Sequence, residues 1–196
     1  MARSVSWVMS YHRRPQGERD RVGGLPDHLP RVWPACQLCQ DRMEFVGQLY
    51  AADRLPLGGP LGLQFYVCDN CRETFKGQAN DRLPIHLEVL PAEAAENAGR
   101  EGVRCRKQPL RYISYTPVED SMDQWSFLRR KMAEEELPDT HLRRDKVGGL
   151  FPYDGSDGPR ITPANRMVAQ FTWAAVGGPI YLFRSSARGL YLYHYR

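Results

Sequence analysis

Arg19-Asp20-Arg21-Val22-Gly23-Gly24-Leu25 recurs later in the chain as Arg144-Asp145-Lys146-Val147-Gly148-Gly149-Leu150, with one Arg/Lys exchange between the two. A proline follows each, Pro26 and Pro152. Further on, in the same order, Met43 and Val46-Gly47-Gln48-Leu49 correspond to Met167 and Val168-Ala169-Gln170-Phe171. Gly58-Gly59-Pro60 then corresponds to Gly177-Gly178-Pro179, and Phe65-Tyr66-Val67 to Ile180-Tyr181-Leu182. One such block is weak evidence, but four in register predict an internal duplication. The offset falls from 125 at the first block to 115 at the last, as a second copy with shorter loops would give.

The content of the blocks predicts what each copy folds into. A Gly-Gly pair permits a backbone turn that side chains would forbid, and a phosphate cradle would need a lysine and a helix after it, which neither copy supplies. After each turn come prolines (Pro26, Pro30, Pro34; Pro152, Pro159, Pro163), then short apolar runs of strand character. These are residues 43–50, 61–68, 167–173 and 179–184, and they read as antiparallel hairpins. Residues 85–89, 111–115 and 190–196 alternate in the same way, the last setting Tyr191, Tyr193 and Tyr195 against Leu190, Leu192 and His194. The expected fold is mainly β (α+β), with two related antiparallel β-rich units. Residues 1–18 form an N-terminal arm, 19–90 the first unit, 91–143 a connector with one helix, and 144–196 the second unit.

Within the connector, residues 91–108 are rich in Ala, Glu, Gly and Arg and read as a solvated, partly disordered link. The helix follows: Ser121 and Gln124 match a capping box, Trp125, Leu128 and Met132 recur at helical spacing, and Pro138 ends the run. The Trp125 stripe is expected to pack on the sheets, with Arg129, Arg130, Lys131, Glu134 and Glu135 on a solvated face.

Cys36-Gln37-Leu38-Cys39 and Cys68-Asp69-Asn70-Cys71 form two CxxC pairs separated by 28 residues. Two thiolates on each of two tight knuckles supply the four soft ligands of a closed tetrahedral zinc site, a kind of site that holds structure and leaves no coordination position for a substrate. The alternatives are two disulfides or four unrelated buried thiols. Zinc in the first unit requires a reducing compartment, and the cytoplasm is the expected location. Cys105 has no evident partner and reads as an inert small residue. The second unit has no cysteines, so its hairpins close without a metal.

Composition narrows the function classes. The 196 residues carry 27 Lys and Arg against 23 Asp and Glu, a net charge of +4 that permits an acidic partner without forming the dense basic stripe of a dedicated nucleic-acid binder. No run approaches the ~18 apolar residues of a membrane span or the shorter core of a signal peptide. His12, His28, His86, His141 and His194 never fall at chelating spacing, and Asp154-Gly155-Ser156-Asp157-Gly158 reads as a turn because Asn165 stands where a calcium loop needs glutamate. No nucleophile-base pair, Walker loop or carboxylate pair is recognisable, so a non-enzymatic protein is expected. RNA binding has a basis in Arg104, Arg106, Lys107 and Arg111 near Tyr112 and Tyr115, and in Tyr191, Tyr193, Tyr195 and Arg196 as a stacking platform. Alternation along the strands predicts instead that one face of these tyrosines packs inward.

The Gly-Gly-Leu-Pro opening, Trp33-Pro34 before Cys36, the Phe45, Gln48, Leu49, Tyr50 strand and the Leu63–Cys68 aromatic strand together resemble the YwqG family of bacterial proteins. More distantly the pattern is similar to the programmed cell death protein 2 family of eukaryotes. The resemblance spans both units and implies a duplicated, mainly β architecture that binds other proteins. It implies an immunity or antitoxin-like role against a toxin, or, from the eukaryotic side, a chaperone for a ribosomal protein. Cys36, Cys39, Cys68 and Cys71 carry over as the metal site. The leading expectation is a zinc-stabilised protein that occludes a protein partner, and the alternative is an RNA- or ribosome-associated factor.

Overall fold

The computed structural model describes residues 5–72, 84–93, 109–120, 124, 144–149, 151, 159–173 and 179–194. The expected strands are present: β3 (Glu44–Tyr50), β4 (Gly62–Val67), β5 (Ile85–Leu90), β6 (Arg111–Glu119), β8 (Asn165–Phe171), β9 (Ile180–Ser185) and β10 (Gly189–His194). Three further strands accompany them, β1 (Val5–His12) and the short β2 (Arg21–Val22) and β7 (Lys146–Gly148) that carry the recurring motif into its turns. One short helix, α1 (Asp69–Arg72), follows β4. The fold is mainly antiparallel β. The helix expected from Ser121 lies outside the described residues apart from Gln124. The centre of the connector with Cys105 and the Asp154 turn also lie outside them.

The ten strands among the described residues join one antiparallel sheet in the order β10-β9-β8-β7-β1-β6-β2-β3-β4-β5. The strands expected in separate units therefore share a sheet. Its centre is built by β1, from the expected N-terminal arm, and β6, from the expected connector. The central pair aligns Ser10 with Ser114, and around that point its hydrogen bonds and packing recur in two-fold fashion. The Met9 N–H donates to the Asp145 carbonyl at 2.9 Å, and the Ile113 N–H to the Asp20 carbonyl at 2.9 Å. A β-carbon added at Gly149 would strike Ser6, and one at Gly24 would press on Leu110, positions again related by the shift that carries Ser10 to Ser114. The first strand ahead of each motif thus lies against the other stretch, β1 on β7 and β6 on β2.

The turns are those the glycines predict: Gly23 and Gly24 have φ of 72° and 70°, Gly148 and Gly149 70° and 77°. In that left-handed region a side chain costs about 1–2 kcal/mol. Each following hairpin carries a bulge at the same point, between Phe45 and Gly47 in β3 and between Met167 and Ala169 in β8. Register matches Tyr66, opposite Phe45, with Phe183, opposite Met167. The correspondence read from sequence, Tyr66 with Tyr181, is therefore two residues out in this strand.

The sheet curls until its flanks share a core. Phe65 of β4 lies 4.8 Å from Phe171 of β8 and 5.1 Å from Trp173, and Phe171 stacks on Trp173 at 4.5 Å. Gly47 makes this approach possible, since a β-carbon there would stand 3.0 Å from the Trp173 ring and 2.9 Å from the Arg21 carbonyl. Outside the core, Arg184 of β9 reaches across to donate to the Pro56 carbonyl at 3.0 Å. Strand alternation then gives each flank a second, outer cluster. Leu63, Phe65 and Val67 face the shared core while Tyr66 and Cys68 face out to Cys36, Met43 and Phe45; likewise Ile180 and Leu182 face in while Tyr181 and Phe183 face Phe151, Met167 and Tyr193.

Candidate metal centre

Cys68 extends the Tyr66 face of β4, so the sheet itself aims its sulfur into the outer cluster. Cys71 follows on α1, held by the Arg72 N–H bond to the Cys68 carbonyl (3.1 Å) and by the Arg72–Asp69 ion pair (2.8 Å). The other knuckle precedes β3. The Cys36 N–H donates to the Asp41 carbonyl and the Gln40 N–H to the Cys36 carbonyl, both at 2.8 Å, closing a tight loop that the Met43–Pro34 bond (3.0 Å) ties down. Gln40 pays for that tightness with φ of 64°, the one non-glycine residue in left-handed backbone among those described. Asn70 joins the knuckles by donating to Asp41 at 2.6 Å.

The four sulfurs predicted from spacing come together, all within 4.8 Å of one another. Cys39 and Cys68 approach to 3.5 Å. Four thiolates around a divalent ion with bonds of ~2.3 Å stand roughly 3.8 Å apart, so the set matches a closed tetrahedron. Cys36 and Cys68 are buried, Cys71 is half-buried and Cys39 is exposed. All four are free cysteines, not the two disulfides that spacing alone left open.

Their electrostatics favour a cation. Burial disfavours the Cys36 thiolate, but the N–H groups of Cys39 and Leu38 and the neighbouring thiols outweigh it and hold Cys36 below its ordinary value. Burial, with Cys39 and Cys36 alongside, pushes Cys68 up to about 11, and Cys71 is raised by burial and the same crowding. Such a cluster ionises readily at Cys36, while Cys68 and Cys71 resist ionisation until a positive ion stands beside them. The residues present can hold a metal ion, and the all-sulfur donor set fits a soft one.

A second polar assembly was not foreseen from sequence. Asp20, fully buried, accepts from the Tyr50 N–H (2.6 Å), from Arg54 (3.0 Å) and from the Tyr115 hydroxyl, while the Arg54 guanidinium lies 4.1 Å over the Tyr115 ring. Burial raises the Asp20 carboxyl even against these donors, and it raises Tyr115 as well. Asp145 stands in the matching place, accepting from the Thr172 N–H (2.7 Å) and from the Tyr11 hydroxyl. Nearby, Asp27 accepts from Arg21, Gln48 and Tyr50, and although burial opposes ionisation these bonds hold it below its ordinary value.

The histidines remain dispersed. His12 bonds Ser114 at 2.7 Å, His86 meets Glu88 at 3.1 Å, and His28 and His194 are buried. Tyr191 stacks on Phe183 at 5.5 Å and Tyr193 is buried, so both rings contribute to the outer cluster. Tyr195, Arg196, Arg104, Arg106, Lys107 and His141 lie outside the described residues. Among the described residues, no helix is long and apolar enough to cross a membrane. No protein-family model matches the chain, and no curated protein matches it.

Proposed function

We propose that this chain is a non-enzymatic, zinc-stabilised protein-binding protein that works in the cytoplasm by occluding a protein partner, in the manner of an immunity protein or antitoxin. The observation that carries the reading is the closed set of four sulfurs, Cys36, Cys39, Cys68 and Cys71, within 4.8 Å of one another. Four protein ligands leave a zinc ion no open position for a substrate or an activated water, so the metal serves folding. The perturbed acids point the same way: Asp20 and Asp145 are occupied by backbone N–H groups, tyrosine hydroxyls and, for Asp20, an arginine. Perturbed groups with such structural partners have an explanation without catalysis.

The two-fold pairing about Ser10 and Ser114 supports an internal duplication, and with it the resemblance to the YwqG family on which the immunity role rests. Exposed apolar side chains on the first knuckle and the segment leading into it, Val32 at 79% and Leu38 at 43%, offer a contact surface that the metal would hold rigid. Packing of Tyr191 and Tyr193 in the outer cluster of the second flank weighs against the RNA-associated alternative.

The test joins metal analysis to capture. Purified protein is expected to hold one zinc per chain, and affinity capture from the native host at moderate and high salt is expected to recover one dominant, salt-resistant polypeptide. That polypeptide should arrest growth when expressed alone and lose its toxicity when this chain is co-expressed. Salt-labile recovery of RNA with ribosomal proteins would replace this reading with a ribosome-associated role.

A further inference from the structure

The four sulfurs are not equivalent. Cys36 and Cys68 are 0% and 1% exposed, and Cys36 is engaged by the Leu38 N–H at 3.4 Å, whereas Cys39 sits at the solvent side of its knuckle beside exposed Leu38. Cys39 lies 3.5 Å from Cys68, a sulfur of the opposite CxxC pair 29 residues on, at the end of the strand that begins the other knuckle. An oxidant arriving from solvent therefore reaches Cys39 first, and the thiol placed to resolve the product belongs to the opposite pair.

We infer that Cys39 is an oxidative modification site, and that hydrogen peroxide converts it and Cys68 into a disulfide that releases the metal. In the first step the Cys39 sulfur attacks one peroxide oxygen; the O–O bond breaks, hydroxide leaves, and Cys39 becomes a sulfenic acid. The Cys68 thiolate then attacks the Cys39 sulfur, forming the S–S bond as the S–O bond breaks and a second hydroxide leaves. Two thiolates are oxidised, one peroxide is reduced, and two protons from solvent complete two waters. Cys36 and Cys71 remain as a two-sulfur set too poor to keep a structural ion. The new link replaces the metal as the tie between the knuckles, so the sheet stays folded and the change is reversed by a thiol reductant with the metal resupplied.

This inference rests on the metal reading of the centre, and one experiment separates the two. Full-length protein is assayed for metal as purified, then exposed to equimolar hydrogen peroxide. Metal release is followed with a chromogenic chelator, and cysteine pairing is mapped by differential alkylation and peptide mass spectrometry. The expected result is release of the whole metal content together with one Cys39–Cys68 linked peptide, both undone by dithiothreitol and zinc. A link within Cys36/Cys39 or within Cys68/Cys71, or four thiols still reduced with metal bound, would overturn the inference. If thiol-intact protein holds no metal, the metal reading falls instead, and the same mapping on that protein still decides whether Cys39 pairs with Cys68.

Discussion

The two flanks of the sheet solve one problem in two ways. Each presents a bulged hairpin whose outer face needs a second layer, with Tyr66 opposite Phe45 on one side and Phe183 opposite Met167 on the other. On the first flank the layer is two knuckles and four sulfurs around Phe45, Met43 and Trp33. On the second it is rings: Phe151 lies 4.9 Å from Tyr181 and 5.1 Å from Phe183, and Tyr191 stacks on Phe183 at 5.5 Å. A metal lets small loops close a surface they have too little apolar area to close alone, but the closure depends on a tie between the sulfurs. Aromatic packing needs no ion and has no switch.

Breaking each closure should show this contrast. Cys68→Ser is expected to abolish metal binding and to cost about 4–5 kcal/mol, less than the ~10 kcal/mol a zinc-finger peptide draws from its ion, because the shared core persists. A thermal melt with metal analysis checks it, and an unchanged midpoint with metal retained would refute the role given to Cys68. Phe183→Ala should cost about 3–4 kcal/mol and leave the metal content alone, since the ring it removes lies on the other flank. In hydrogen exchange, a chelator should accelerate amides near Cys36 and Cys68 while those of β9 and β10 hold their protection.

Finer comparisons concern the paired aspartates. Tyr115→Phe takes one donor from fully buried Asp20 and should cost about 2 kcal/mol. The matching Tyr11→Phe should cost about 1 kcal/mol, because Tyr11 is 38% exposed and water can replace its hydroxyl. Chemical denaturation of the two variants side by side measures the difference, and equal losses would mean that the two halves are satisfied alike. The smallest effect is a gain: Gln40→Gly removes a side chain from a backbone at φ of 64° and should stabilise by about 0.5–1 kcal/mol, read as a higher denaturant midpoint with metal bound.

Much of this was legible because the signals are local. Glycine pairs fix turns, and short apolar runs between turn residues, such as Leu61–Cys68, fix strands, so the hairpins and the four sulfurs could be read without knowing what lies across the sheet. The strand Val5–His12 was not read as one. Its consecutive Val8 and Met9 are both buried because both faces of β1 are covered there, which erases the alternation that marks a half-exposed strand. Asp20 and Asp145 appeared to belong only to a turn motif. Their roles depend on tyrosines 95 and 134 residues away, and no spacing rule reaches that far. The same non-locality hid the exchange of β1 and β6.

That exchange also sets an order of events. In a chain made from its N-terminus, β1 emerges early and finds no neighbour, since its partners begin only at Arg111 and Lys146. The hairpins β3-β4-β5 can form as they appear, but the middle of the sheet must wait for β6 at Arg111 and is complete only with β7 at Lys146. Contacts so distant in sequence slow folding and leave an apolar strand uncovered meanwhile. The growing chain is therefore most open to misassociation before residue 146 is made, and a truncation that spares every cysteine yet ends short of that point would still leave β1 lacking a neighbour on one side.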